Sequence, residues 1–148
     1  MTVTIRPLTP HDRAVWEDLF AAYAGFYNTT LPDGAFDTVW GWIFDPKNDF
    51  WCDLAVSDDG TTVGFTQYQL MHRSLGASMV CYLSDLYVDP AIRGTGAGRA
   101  LIDHVIAFAR SRGLTNVRWL THETNAQARR LYDSYRPPSG FILYSVPV

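Results

Sequence analysis

The stretch DPAIRGTGAGRALIDHVIAFAR, residues 89–110, places Gly94, Gly96 and Gly98 directly before an apolar helical pattern. Glycine lets the backbone adopt positive φ and approach a ligand closely. A helix start presents N–H groups without intrahelical acceptors, together with a partial positive charge. A glycine loop that leads into a helix therefore predicts an anion site, for which phosphate is the usual ligand.

Two common phosphate motifs do not fit this stretch. The P-loop requires a lysine after its second conserved glycine, and the chain has no lysine after Lys47. The dinucleotide fingerprint requires a third glycine at the position of Arg99, and it belongs to an early βαβ unit that is absent here. Another phosphate-binding loop must therefore account for the pattern.

A third pattern does fit, because Arg93-x-x-Gly96-x-Gly98 follows a predicted strand and opens a helix. It resembles the coenzyme A pyrophosphate loop of the GNAT superfamily of N-acetyltransferases. YLSDLYVDP, before the loop, is similar to the fourth strand of that family. TNAQARRLY, after it, is similar to the family's asparagine-to-tyrosine helix, with Asn125 and Tyr132 seven residues apart. The resemblance is good over residues 50–148 and looser over the first helices.

Within the superfamily, the chain is most similar to the small polyamine-acetyltransferase-like and fungal histone-acetyltransferase-like group. The fourth strand of that group often reads Y-L-E-D-L-Y-V, and its chains end near I-L-Y. The corresponding residues here are 82–88 and 142–144. The resemblance implies an α/β (α+β) fold with a central mixed, mostly antiparallel sheet of six to seven strands, flanked by about four helices.

The pattern along the chain agrees with one domain covering residues 1–148, a length that suits a single core. A first helix is expected behind Thr9, with Asp12 completing a capping box. A hairpin is expected to turn at residues 58–60. Strands are predicted at 116–122 and at the apolar stretch FILYSVPV, residues 141–148.

Composition excludes several classes of protein. A content of 47% hydrophobic and 18% charged residues is globular, and no apolar run approaches the ~20 residues of a membrane span. The first residues lack the apolar core of a signal peptide. Cys52 and Cys81 are interpreted as reduced core residues, which favours a cytoplasmic location. The four histidines are scattered singly, so no metal site is expected.

The charges are divided unevenly between the two parts of the chain. Residues 1–90 carry four basic and twelve acidic side chains, whereas residues 91–148 carry eight basic and three acidic ones. A basic part around a glycine loop suits a polyanionic ligand, and an acidic part suits a cationic partner. The alternative is that both are solvated faces of one domain.

The resemblance implies which residues bind acetyl-CoA. The loop residues would hold the pyrophosphate through backbone N–H groups, with Arg93 adding charge or bracing the loop. Residues 86–88 would pair their backbone with the pantetheine arm, and one N–H group would polarise the thioester carbonyl. Asn125 would bind the pantetheine or cap its helix. The predicted set is Leu86, Tyr87, Val88, Arg93, Gly94, Thr95, Gly96, Ala97, Gly98, Arg99 and Asn125.

The resemblance also suggests catalytic residues. Tyr132 is the predicted general acid, which protonates the leaving thiolate; the alternative is an ordinary core tyrosine. Relatives often use a glutamate as the base, but this chain has Ser84 at that position and keeps Asp85. Either Asp85 acts through water or the pathway differs. Arg136 and two prolines replace the usual glycine after the tyrosine helix, which affects the acceptor pocket more than cofactor binding.

For the acceptor, the first part of the chain offers aromatic residues with carboxylates nearby. Aromatic rings and carboxylates together hold a cationic amine, although aromatic residues at helical spacing also commonly form a core. The aromatic candidates are Tyr23, Phe26, Tyr27, Trp40 and Trp42, and the acidic ones are Asp33, Asp37 and Asp45.

The sequence thus predicts an acetyl-CoA-dependent N-acetyltransferase that transfers an acetyl group to a primary amine by direct attack in a ternary complex. The acceptor would be a polyamine, a diamine, a basic peptide or an amino acid. One alternative is a coenzyme A-binding sensor without catalysis, and another is a nucleic-acid binder. Neither a nucleic-acid nor a membrane partner is expected. A chain that ends in a strand can also pair sheet edges and form a homodimer.

Overall fold

The computed structural model describes residues 2–92 and 95–148, so the predicted loop residues Arg93 and Gly94 lie outside the described residues. Within those ranges there are four α-helices, five strands and three short 3-10 turns. The strands are β1 (Val3–Pro7), β2 (Phe50–Ser57), β3 (Thr62–Arg73), β4 (Ser78–Val88) and β5 (Val117–Arg118). The helices are α1 (Arg13–Phe26), α2 (Ala35–Phe44), α3 (Ala97–Ser111) and α4 (Ala126–Asp133).

The described strands form one sheet in the order β1-β2-β3-β4-β5. The first three neighbouring pairs are antiparallel, and β4 and β5 are parallel over two residue pairs, Cys81 with Val117 and Tyr82 with Arg118. The predicted α/β class with a mixed, mostly antiparallel sheet and four helices is confirmed. The expected six to seven strands are not found, because the described residues form a sheet of five.

Of the predicted strands, one is shortened and one is absent from the described residues. The strand expected at 116–122 is reduced to β5, because β4 has no pairing with it beyond Tyr82. Residues 141–148 form no strand, and every residue from 137 to 148 is exposed. Their aromatic and β-branched side chains suit a strand, but a strand also needs a neighbouring edge. Pro137 and Pro138 supply no N–H donors to a ladder at the start of this segment.

Helices cover both faces of the sheet. On one face, Trp16, Leu19 and Phe20 of α1 pack in a cluster with the strand residues Leu54 and Phe65. On the other face, α3 packs on the sheet with Leu101, Ile102 and Val105. Because successive strand residues point to opposite faces, each strand contributes to both layers. Cys52 and Cys81 are buried free thiols in these two layers, as predicted.

The start of the first helical segment follows the predicted capping box. The Asp12 carboxylate accepts hydrogen bonds from the Thr9 backbone N–H at 2.7 Å and from the Thr9 hydroxyl at 2.9 Å. Pro10–Asp12 forms a 3-10 turn, and α1 continues from Arg13. Arg6 of β1 donates two hydrogen bonds to the same carboxylate. This contact fixes α1 against the sheet, and α1 supplies one wall of the site described below.

Candidate functional site

The glycine segment leads into α3 as the sequence indicates. Gly96 precedes the helix with φ of +91°, which glycine adopts without strain. The Ala100 N–H donates to the Gly96 carbonyl at 2.9 Å. The N–H groups of residues 97–99 belong to the first turn, where the helix itself provides no acceptors. These groups and the helix dipole form an electropositive end.

This helix end opens into a cavity of about 320 Å³, which lies between the second half of β4, the start of α3, α4 and the end of α1. Nine of the predicted site residues line it: Leu86, Tyr87, Val88, Gly96, Ala97, Gly98, Arg99, Asn125 and Tyr132. The structure thus brings together residues that are up to 46 positions apart in the chain. Thr95 is not among the lining residues; its hydroxyl is exposed and donates to the Ile92 carbonyl at 2.6 Å.

The cavity exists because β4 and β5 separate. Their pairing ends at Tyr82 and Arg118, so residues 83–88 of β4 have no strand on that side among the described residues. On its other side, β4 remains paired with β3 as far as Val88. The prediction that a pantetheine arm pairs with the backbone of residues 86–88 concerns this second half of β4.

Gly98 is packed tightly against α4 and β4. A Cβ atom at this position would lie 3.3 Å from Cδ2 of Leu131 and 3.9 Å from Cγ2 of Val88. Any larger side chain would therefore project into the cavity or displace α4. The glycine keeps the helix start close to both neighbouring elements.

Tyr132 is half-buried in the cavity wall, and its ring packs edge-on against Trp119 with the ring centroids 5.6 Å apart. Burial raises the pKa of its phenol to about 12, with a smaller contribution from Tyr27. The phenol therefore keeps its proton at neutral pH and can donate it. Tyr132 lies on α4, whose N-cap is Asn125: the side-chain oxygen of Asn125 accepts from the Ala128 N–H at 3.4 Å. The predicted capping contact is therefore present.

A β-bulge places Ser84 and Asp85 on the same face. Asp85 pairs with Gln67, but the next pair joins Tyr68 to Leu83, so Ser84 is an extra residue in β4. The Gln67 amide donates to the Asp85 carboxylate at 2.8 Å, and the Gln69 amide donates to the Ser84 hydroxyl at 2.9 Å. Because residues 67 and 69 share one face of β3, both β4 side chains are directed to that face.

Asp85 is not among the residues that line the cavity. Burial raises the pKa of its carboxyl group, while hydrogen bonds from Gln67 and Tyr23 partly oppose this shift. A carboxylate with a raised pKa is a better proton acceptor than an exposed one. The sequence did not identify Gln67, a fully buried polar residue, because its role depends on the strand register.

The aromatic acceptor residues divide into two groups. Tyr23 and Phe26 of α1, and Tyr27 directly after it, line the cavity. Trp40 packs against Trp16 in the core, and Trp42 contacts Phe50, so neither reaches the cavity.

The predicted acidic residues are not at the cavity. Asp33 and Asp37 line a separate groove between α1 and α2, where Asp37 pairs with Arg13 at 2.6 Å. Asp45 accepts a hydrogen bond from the Lys47 backbone N–H. The prediction that these carboxylates join the aromatic residues is wrong, because the turn at residues 27–34 directs α2 away from the cavity.

Among the helices of residues 2–92 and 95–148, none combines the length and the apolar character that a membrane span requires.

Comparison with known proteins agrees with the geometry. The sequence profile of the acetyltransferase (GNAT) family matches residues 16–135. The D-amino-acid N-acetyltransferase HPA3 of Saccharomyces cerevisiae is 31% identical over 143 residues, which is 96% of this chain and 89% of that protein. An aminoglycoside N(6')-acetyltransferase type 1 of Stenotrophomonas maltophilia is 34% identical over 113 residues, covering 74% of this chain and 69% of that protein.

Solved structures share the fold at low sequence identity. AAC(6')-Iy, in complex with a bisubstrate analogue of coenzyme A and acetylneamine, superposes with a TM-score of 0.85 at 18% identity, covering 100% of this chain and 99% of that one. A ribosomal-protein-alanine N-acetyltransferase from Brucella melitensis gives a TM-score of 0.81 at 21% identity, covering 99% and 100%. The family profile spans most of the chain, the yeast relative is 31% identical over nearly the full length of both proteins, and the fold agrees. The chain therefore belongs to the acetyltransferase (GNAT) family.

Proposed function

We propose that this protein is an acetyl-CoA-dependent N-acetyltransferase that acetylates a small primary amine by direct attack in a ternary complex. The observation that carries the proposal is the cavity itself. It joins an electropositive helix end, the β5 side of β4 and a protonated tyrosine in one space. An anionic cofactor with an extended arm and a leaving thiolate needs these three features.

The residues present suit acetyl-CoA. The start of α3 offers backbone N–H groups and the positive end of the helix dipole to a pyrophosphate. The backbone of residues 86–88 offers hydrogen bonds to the amide-rich pantetheine arm. A backbone N–H group there would also polarise the thioester carbonyl and stabilise the oxyanion that forms during attack.

Tyr132 supplies the proton for the leaving group in this proposal. The sulfur leaves as a thiolate when the tetrahedral species collapses, and a neutral phenol close to it can protonate it. The raised pKa keeps Tyr132 in the required state at neutral pH. No side chain needs to carry the acetyl group, so the transfer needs no covalent enzyme intermediate.

The cavity favours a small amine as acceptor. Tyr23, Phe26 and Tyr27 form an aromatic wall that can hold an ammonium group by cation–π contacts. The relatives are named for acetylation of D-amino acids and aminoglycosides, both of which carry amino groups. The proposed acceptors also include polyamines, diamines and basic peptides.

The main alternative is a module that binds coenzyme A without catalysis. Ser84 favours it, because this position often carries the base in relatives and a serine hydroxyl cannot accept a proton unaided. Tyr132 opposes it, because a binding module has no need of a buried proton donor at the thiol end. The two functions differ in amine-dependent turnover, which a binding module lacks.

The Gly98→Val variant tests the cofactor site. The added side chain lies within contact distance of Leu131 and projects into the cavity, so we expect coenzyme A affinity to fall at least about tenfold, or about 1.4 kcal/mol. Calorimetric titration with coenzyme A measures it. Gly41→Val is the matched control, since it also lies within a helix but meets no atom within 4 Å. Equal affinity in both variants would place the cofactor elsewhere.

The Tyr132→Phe variant tests the general acid. It removes the hydroxyl and keeps the ring packing on Trp119, so turnover should fall by about 10²–10⁴-fold while acetyl-CoA affinity stays nearly unchanged. Thiol release in the presence of an active amine measures turnover. Tyr144→Phe, at an exposed residue outside the cavity, is the control. A turnover equal to that of the unmodified protein would remove Tyr132 from this role.

We also propose that the protein assembles as a homodimer through residues 141–148. This apolar segment is almost fully exposed: Phe141 is 91% and Tyr144 is 83% exposed. Apolar residues on both faces are typical of a strand that is covered on both sides. The β5 edge, followed by the exposed Leu120, offers a second copy an edge to pair with.

The area that two copies of residues 141–148 would bury is large enough for a dimer interface. Aromatic side chains bury about 150–250 Å² each, so the four rings of two reciprocal segments cover roughly 600–1,000 Å². Together with Ile142, Leu143 and Val146, this approaches the area of a standard interface, about 1,600 Å².

Light scattering on the purified protein tests the dimer. We expect the mass of two chains for the unmodified protein, and the mass of one chain for a variant with Phe141→Asp and Leu143→Asp. Leu75→Asp, at a residue equally exposed in the turn between β3 and β4, should remain dimeric. A single-chain mass for the unmodified protein at micromolar concentration, or a dimer that survives both aspartates, would refute this assembly.

A further inference from the structure

Helix α4 carries Tyr132 close to its C-terminal end and depends on its neighbours for its position. It has eight residues, none of which is fully buried. A helix of this length is not stable on its own, so tertiary contacts decide where its side chains lie. Residues 137–148, which follow soon after it, are all exposed. The end of α4 must therefore be held from another side.

Two side chains from the first turns of α3 hold this end. The Arg99 guanidinium donates to the Ser134 hydroxyl oxygen at 2.8 Å, and its central carbon lies 5.1 Å from the centroid of the Tyr135 ring. One turn later, Asp103 Oδ1 accepts a hydrogen bond from the Tyr135 hydroxyl at 2.7 Å. Residues 99 and 103 are four apart and therefore share one face of α3. These four residues form the α3–α4 contact.

The α3–α4 contact continues to the ring of Tyr132. Trp119, directly after β5, packs edge-on against Tyr135 with the ring centroids 6.1 Å apart, and against Tyr132 with the centroids 5.6 Å apart. Edge-to-face ring pairs have a preferred relative orientation. A displacement of Tyr135 therefore also displaces the ring against which Tyr132 packs.

The same turns of α3 begin at the electropositive end of the cavity. Residues 97–99 line the cavity and provide the N–H groups of the first helical turn. The α3–α4 contact therefore links the helix end proposed to bind the pyrophosphate to the helix that carries the proposed proton donor. A misplacement of about 1 Å at a catalytic group can lower a rate by about 10²-fold, so this link bears on turnover.

We propose that Tyr135 is a positioning residue, whose hydrogen bond to Asp103 holds the end of α4 so that Tyr132 reaches the leaving sulfur of the thioester. The inference rests on the proposed function, in which Tyr132 is the general acid. Neither Tyr135 nor Asp103 is among the residues that line the cavity, so neither is placed to touch the substrate.

Tyr135 keeps its own proton in this role. Partial burial and the Asp103 carboxylate raise the pKa of Tyr135 well above its usual range, so its hydroxyl stays a donor to Asp103 at neutral pH. The proton that the thiolate receives comes from Tyr132. The α3–α4 contact adds no chemical step and acts only through the position of α4.

The Tyr135→Phe variant tests this role, because it removes the hydroxyl and keeps the ring that contacts Arg99 and Trp119. Thiol release is measured with acetyl-CoA and the amine that reacts fastest among polyamines, basic peptides and amino acids. We expect kcat to fall about three- to tenfold, the effect of one lost hydrogen bond on a rate, while acetyl-CoA affinity and KM stay unchanged.

The same substitution in the Tyr132→Phe background separates positioning from a structural role. We expect it to change the remaining rate by less than about twofold, because no proton donor is left to position. A structural role would lower the rate by the same factor in both backgrounds and would overturn the proposal.

Two substitutions examine the other partner of the bond. In Asp103→Asn the side-chain oxygen can still accept from the Tyr135 hydroxyl, whereas Asp103→Ala removes the acceptor. We expect Asp103→Asn to keep at least about half of kcat and Asp103→Ala to lose about as much as Tyr135→Phe. The double variant with Asp103→Ala and Tyr135→Phe should lose no more than either single one. Additive losses would show that the two side chains act separately, against the proposal.

Tyr68→Phe is the matched control. It removes the hydroxyl of a buried tyrosine that donates to Asp53, a bond between β3 and β2 that does not involve α4. We expect this variant to have a lower melting temperature and an unchanged kcat. A fall in its kcat equal to that of Tyr135→Phe would attribute the loss to general destabilisation and overturn the proposal.

The failure of the positioning role and that of the proposed function give different results. An unchanged kcat for Tyr135→Phe, with a fall for Tyr132→Phe, overturns the positioning role alone. An unchanged kcat for Tyr132→Phe removes the general acid and the positioning role with it. An unmodified protein without amine-dependent release overturns the proposed function itself.

Discussion

The separation of β4 from β5 is the constraint on which the site depends. Pairing stops after Tyr82 and Arg118, while β4 stays anchored to β3 over its full length. The second half of β4 thereby lines the cavity at the point where α3 begins and α4 packs across. Gly98 allows these elements to approach closely, since a Cβ atom at this position would lie only 3.3 Å from Cδ2 of Leu131. The cavity is thus a consequence of strand geometry, and its side chains adapt it to one chemistry.

The proposed transfer needs a proton donor for the leaving thiolate and a proton acceptor for the amine. Tyr132, on α4, holds a proton that the leaving thiolate can take, because burial raises its pKa. Asp85, on β4, accepts a hydrogen bond from the Gln67 amide, and burial raises the pKa of its carboxyl group. The bulge at Ser84 places the Ser84 and Asp85 side chains on the same face of the sheet, where the Gln69 and Gln67 amides donate to them.

Much of the cavity lining could be predicted from sequence, because its residues lie in three short contiguous motifs whose local geometry is encoded locally. Gly96 before α3, the strand at residues 86–88 and the Asn125 cap are examples. The network around Asp85 could not, since Gln67 reaches it only through a strand register that contains a bulge. Residues 141–148 have strand propensity, but propensity does not specify a neighbouring edge. Asp33 and Asp37 lie near the aromatic residues in the sequence, but the turn after α1 places them in another groove.

The measurement that tests this account most directly is thiol release from acetyl-CoA across a panel of polyamines, basic peptides and amino acids, with the amine-free rate as baseline. The account predicts release that depends on a small amine and saturates with its concentration, one thiol for each acetylated amine. Release at the baseline rate with every amine, from a protein that still binds acetyl-CoA, would contradict it and identify a binding module instead.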